Sequence, residues 1–218
     1  AEAWVAELGF GATCRCVEGY EHLLAAADVD AVYVPLPTSL HLDFVVKAAA
    51  AGKHVLVEKP VGRTAAEVRA MVDACRAAHE DGRFVLTMGG DHSIALGTVA
   101  AACAARPDTR VLWVDAHADA NSPGTSPSGN MHGMPLAFLL GLVEAESLDE
   151  DATYFDWLLE KPFLSPERLA YVGLRDVDDD ERCALRGLAA RGTYVSSMHD
   201  VDKYGIGRVV DEALGHLG

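Results

Sequence analysis

Short runs of β-branched and other apolar residues alternate along the chain with longer stretches of helical spacing. The runs predict strands at 31–35, 54–57, 84–86, 111–114, 169–172 and 193–196. The helical stretches predict helices at 40–51, 64–78, 93–105, 179–190 and 207–217. Gly52 closes the first of these. Thr64, with Glu67 three residues on, forms a capping box for the second, and the third ends before Pro107. Strands that are apolar at nearly every position and alternate with helices belong to a parallel sheet covered on both faces. The expected fold class is therefore α/β, a parallel sheet flanked by helices.

The 218 residues allow one or two domains. Half of them are hydrophobic, which supplies a core and excludes disorder as the main state. The net charge of −15 argues against a nucleic-acid partner, because phosphate binding needs clustered Lys and Arg. No window approaches the ~18 uninterrupted apolar residues of a membrane span, so no membrane partner is expected. Ala1-Glu2-Ala3-Trp4 has neither a basic n-region nor a following apolar h-region, so it does not read as a secretory signal. The first residue is not Met, so the chain is expected to be processed, cut or incomplete at its start. Cys14, Cys16, Cys75, Cys103 and Cys183 are odd in number and irregularly spaced, which is no disulfide framework. Cys14 and Cys16 would share one face of a strand, and the expectation is free thiols in the core. A cytoplasmic or organellar location, not secretion, follows.

Charge is uneven: −4 over residues 1–83 and −11 over 84–218. Carboxylates at that density invite a hard cation, although a solvated acidic face explains 176–181 equally well. Four residues stand out. His92 follows one predicted strand, and Asp115, His117 and Asp119 directly follow another. Alternate residues at a strand's end point the same way, so the three should converge at the carboxyl edge of the sheet, where open α/β sheets bind ligands. Carboxylates hold hard divalent ions, and imidazole favours a borderline ion such as Mn²⁺. Several buried carboxylates without a cation would be too costly. The Gly-, Ser- and Pro-rich stretch 121–133 reads as a loop over this site, and its His132 can shuttle a proton.

Gly89-Gly90-Asp91-His92-Ser93, then Asp115-Ala116-His117-Ala118-Asp119-Ala120-Asn121, then Ser128-Gly129-Asn130-Met131-His132-Gly133 resemble the ureohydrolase family, the arginases in particular. The likeness continues through residues 171–178 and 198–207, and covers about 84–218. It implies a three-layer α/β/α fold and a binuclear manganese centre that hydrolyses L-arginine to L-ornithine and urea. It implies His92, Asp115 and Asp119 as ligands of one ion, with Asp115 bridging to a second ion that His117 also binds. Asn121 and Ser128 match positions that hold the substrate α-carboxylate. Asp178 matches the position near the α-amino group, and Glu181 a further acidic position lining that end. His132 matches the proton-shuttling histidine, and Asp119 is implied in catalysis as well. A homo-oligomer is implied too.

The family has a later Ser-x-Asp-x-Asp with two further carboxylate ligands, and this chain ends before it. Four of six ligands are present, the second ion site is expected to be incomplete, and activity to be impaired. Asp28 to His41, with Ala51 to Pro60, is similar instead to the Gfo/Idh/MocA oxidoreductases. That likeness covers about 1–83 and implies a partial Rossmann unit. Glu58 and Lys59 match its Glu-Lys-Pro signature, whose lysine sits by the nicotinamide of the NAD(P) site, and His41 matches the stretch lining the nicotinamide side. The glycine-rich turn that cradles pyrophosphate is missing, so NAD(P) is not expected to bind. The alternatives to an arginase-like hydrolase are an NAD(P)-dependent oxidoreductase and a non-catalytic fusion or fragment.

Overall fold

A computed structural model of the chain describes residues 7, 9, 14–57, 65–82, 85, 87, 91–144, 148 and 156–218. The order of elements is α1 (Tyr20–Ala25), β1 (Ala31–Val34), α2 (Thr38–Ala50), β2 (His54–Val57), α3 (Ala65–Glu80), α4 (Ile94–Ala105) and β3 (Val111–Val114). Then follow α5 (Pro135–Leu139), α6 (Asp156–Leu159), β4 (Leu169–Leu174), α7 (Asp179–Ala190), β5 (Tyr194–Ser197), α8 (Met198–Tyr204) and α9 (Ile206–Leu217). Among the described residues the strands form two parallel sheets, β1-β2 and β3-β4-β5. The fold class is that expected: parallel sheets flanked by helices. Of the predicted strand at 84–86 only Val85 is described, and it stands in no strand; the cap at Thr64 lies outside the described residues.

β4 is central, and all six of its residues are buried. Successive side chains of a strand point to opposite faces. Leu169 and Tyr171 therefore join the large core that α5 builds with Leu136, Phe138 and Leu139, and the irregularity at Gly173 brings Leu174 to the same core. Ala170 and Val172 pack on the other face against Val209, Ala213 and Leu217 of α9. These positions give α9 an apolar stripe at i, i+4 and i+8, which is why it lies flat on the sheet. β4 runs two residues past its expected end, because Gly173 takes φ 92 and lets the pairing skip from Val172–Ser196 to Leu174–Ser197.

Full coverage of every strand is corrected for β1. Val32 and Val34 are buried against Ala48, but Ala31 and Tyr33 are exposed, Tyr33 by 53%. An apolar run does not itself say whether a second layer arrives. The core-thiol expectation is corrected as well. Cys103 is buried and Cys75 half-buried, but Cys14, Cys16 and Cys183 are exposed. Residues 14–17 lie outside any strand. Burial pushes the Cys103 thiol up to about 11.

α8 was not expected from periodicity. It is set by its cap: the Asp200 carboxylate accepts from the Ser197 backbone N–H at 2.8 Å and the Ser197 hydroxyl accepts from the Asp200 N–H at 3.4 Å. α3 and α4 pack closely where Gly97 faces Val72, and a Cβ on Gly97 would come within 3.1 Å of the valine methyl. Among the described residues, no helix is long and apolar enough to cross a membrane.

Candidate metal centre

The segment 115–121 leaves the carboxyl end of β3 and crosses the end of β4. Backbone bonds tie its start to β4 and beyond: Asp115 N–H donates to Val172 O at 3.2 Å, and Ala116 O accepts from the N–H groups of Arg175 and Asp176 at 2.9 and 3.0 Å. Three further bonds hold the rest. The Tyr171 hydroxyl donates to Ala118 O at 2.9 Å. Leu136 N–H donates to Asp119 O at 2.9 Å. Ala120 N–H donates to Glu181 Oε1 at 3.3 Å. Asp119 sits at φ 48, the only described non-glycine residue with positive φ. That conformation costs energy for a residue with a Cβ.

The turn at Asp119 brings its carboxylate back toward β3. His92, just before α4, stacks on Trp113 with ring centroids 5.0 Å apart. Its Nδ1 lies 2.9 Å from Asp119 Oδ2 and 3.5 Å from Asp115 Oδ2. The three residues offer ligand atoms within 4.8 Å of one another. Asp119 Oδ2 is buried and receives no hydrogen bond. His92 Nδ1, 2.9 Å away, makes an ion-pair contact with it when the imidazole is protonated. Burial pushes Asp119 up to about 6, with Asp115 and Glu181 adding to the effect and His92 opposing it. A buried carboxylate oxygen that receives no hydrogen bond, beside a second carboxylate and an imidazole, fits a divalent cation of hard to borderline character.

The expectation that Asp115, His117 and Asp119 all converge is corrected in part. The chain is not a strand beyond Val114, so strict alternation stops. Asp115 and Asp119 meet His92, whereas His117 lies to the side. His117 Nδ1 is 3.4 Å from Asp115 Oδ1, and its Nε2 is 3.4 Å from Asp176 Oδ2. Asp115 thus faces a histidine with each of its oxygens.

Three of the candidate substrate residues, Asn121, Asp178 and Glu181, come together at the start of α7. Asp178 caps that helix, with Oδ1 accepting from Glu181 N–H at 2.8 Å, which holds its carboxyl below the usual range. Its Oδ2 accepts from Asn121 Nδ2 at 2.7 Å. Thr125 donates to Asn121 Oδ1 at 2.9 Å. Glu181 is buried, which pushes its carboxyl up. Ser128 is exposed in the loop and accepts from Asn130 N–H at 3.2 Å. His132 is exposed in a one-turn helix at Met131–Gly133, its Nδ1 3.5 Å from Asp91 Oδ2. His41 is far along the chain in α2, fully buried, with Nε2 2.7 Å from Leu36 O. Glu58 and Lys59 lie outside the described residues. Sequence reasoning missed Tyr171, Trp113, Asp91 and Asp176. A tyrosine in a fully apolar strand was the available signal, since its hydroxyl must find a partner.

One consequence concerns pH. A metal ion must displace the Asp119 proton. The affinity for a divalent cation is therefore expected to fall by about tenfold per pH unit below pH 6, measured by titration calorimetry between pH 5 and 8. A flat profile would show that Asp119 is no ligand.

A sequence model of the arginase family matches residues 22–218. An arginase of Coccidioides posadasii is 52% identical over 143 residues, 63% of this chain and 42% of that protein. The chain spans about two fifths of the length of the curated relatives it matches. Among solved structures, a cold-adapted arginase from the yeast Glaciozyma antarctica superposes with a TM-score of 0.63 at 37% identity, over 89% of this chain and 72% of that one. Arginase of Entamoeba histolytica in complex with L-ornithine has a TM-score of 0.53 at 30% identity, over 71% of this chain and 51% of that one. The fold, the ligand segment behind β3 and a family pattern that starts before β1 point the same way: the chain belongs to the arginase family.

Proposed function

We propose that the chain carries a manganese centre for hydrolysis of L-arginine to L-ornithine and urea. The observation that carries this reading is the buried Asp119 oxygen that receives no hydrogen bond and faces His92 and Asp115. The L-ornithine bound by the Entamoeba relative supports the substrate class. His92, Asp115 and Asp119 would hold one ion, and Asp115 with His117 would contribute to a second. When bound, Mn²⁺ lowers the pKa of water and makes a nucleophile available at neutral pH.

The protein's own groups do the rest. Asn121 and Ser128 hold the α-carboxylate, and Asp178 with Glu181 favours the α-ammonium. These contacts fix the guanidinium carbon for attack. Asp119 orients the attacking water and takes its proton. The new C–O bond forms, the bond to the side-chain nitrogen breaks, and His132 delivers a proton to the departing amine. Saturating Mn²⁺ is expected to raise the melting temperature by several degrees, as binding at 100 times Kd adds about 2.7 kcal/mol. Urea should then form from L-arginine. No thermal shift and no urea at millimolar Mn²⁺ would overturn the proposal.

We further propose that residues 1–83 are a partial Rossmann-like segment and 84–218 the arginase-like segment. The β1-β2 pair, apart from β3-β4-β5 among the described residues, supports this division, while the arginase family pattern from residue 22 onward takes in parts of both segments. Titration with NADH or NADPH is expected to give no heat, and measurable binding would make the first segment a working cofactor domain.

A further inference from the structure

Tyr171 raises a question that the ligand set does not answer. Its ring packs in the main core, where phenylalanine would fill the same volume, yet the residue is tyrosine and fully buried. A buried hydroxyl needs a partner, and this one donates to Ala118 O at 2.9 Å. Ala118 directly precedes Asp119, the residue at φ 48. On the other side of Asp119, Ala120 N–H is held by the buried Glu181 carboxylate. The left-handed residue is thus clamped at both neighbours by side chains that come from β4 and α7.

We infer that Tyr171 is a positioning residue: its hydroxyl, bonded to Ala118 O, holds Asp119 in the left-handed conformation that turns its carboxylate to His92 and Asp115. Glu181 is the second jaw of the clamp. Without the hydroxyl, Ala118 O loses its buried donor, and Asp119 relaxes toward negative φ, which swings the carboxylate away from the other two ligands. The local constraint stands on its own; the consequence for ion binding rests on the proposed metal centre. Groups that orient ligands in this way typically change metal affinity by about 10–100-fold.

The test is Tyr171→Phe, with Thr193→Val as its control. The buried Thr193 hydroxyl donates to Pro166 O at 2.8 Å. The control therefore also loses one buried hydroxyl–carbonyl bond, but at the amino-terminal end of β4. Hydrogen exchange of the metal-free proteins is followed in peptides spanning 115–121. Exchange there is expected to quicken by about fivefold or more in Tyr171→Phe and to stay within about twofold of the parent in Thr193→Val. Free Mn²⁺, followed by its paramagnetic resonance signal, should show Kd raised about tenfold or more in Tyr171→Phe alone. Unchanged exchange in 115–121, or equal acceleration in both variants, overturns the positioning role. Faster exchange in Tyr171→Phe with a parent protein that binds no Mn²⁺ would uphold the positioning role and sink the metal centre.

Discussion

Replacing Asp119 with asparagine should stabilise the metal-free protein above pH 6 and abolish its response to Mn²⁺. Asp119 is 4% exposed, and its pKa is raised from 3.8 to about 6, first by burial. A carboxyl raised in the folded state binds a proton more tightly there than in the unfolded chain. Its favourable contribution is present at low pH and is lost as pH rises from about 4 through about 6. At neutral pH the folded protein carries a buried charge that the unfolded chain keeps in water. A difference of this size corresponds to on the order of 3 kcal/mol. Asparagine keeps the shape and removes the charge. Its amide can also donate toward the Asp115 carboxylate beside it.

The melting temperature of Asp119→Asn without metal should exceed that of the parent by about 5–10 °C at pH 7.5 and match it near pH 4. With saturating Mn²⁺ the order should reverse, because asparagine is a poor ligand for the ion. A metal-free variant less stable than the parent at pH 7.5 would mean that the Asp119 charge is already satisfied by the protein.

Under the proposed manganese-dependent hydrolysis, Asp115→Ala should have the largest effect on function, with urea release lowered by about 10³-fold or more and no Mn²⁺-induced thermal shift. Asp115 is the residue to which both candidate ion sites are tied. One oxygen is 3.5 Å from His92 and the other 3.4 Å from His117. The His117 side also loses an anchor, because Asp115 Oδ1 accepts from the His117 backbone N–H at 3.0 Å. The metal-free stability of Asp115→Ala should change less than that of Asp119→Asn, since the Asp115 side chain is 22% exposed against 5% for Asp119. Retention of the Mn²⁺ response would exclude Asp115 from the centre. The pair of variants separates two properties: Asp119 carries the cost of burial, and Asp115 joins the two histidines.

Much of this was legible because it depends on local sequence. An apolar run followed by alternating Asp and His at 115–119 marks a strand that ends in metal-type ligands. α7 was bounded correctly at Asp179–Ala190, because Asp178 is a good cap and three acids fill the first turn. α8 was missed because its capping box follows a strand with no gap and its helical stretch is seven residues long. α1 and α6 are shorter still, and their periodicity is too brief to read.

By itself the sequence determined the class of the fold, the ligand types and their order along the chain, since patterning and side-chain chemistry are local properties. The tertiary structure alone decided which candidate ligands meet. It ended strand geometry at Val114, turned Asp119 left-handed, and placed His117 to one side while Trp113 backed His92. These outcomes depend on groups far away in sequence, with Tyr171 lying 53 residues and Glu181 61 residues from the atoms they hold. Local spacing does not encode such contacts, because the backbone of 116–121 takes its shape from β4 and α7 rather than from its own propensity.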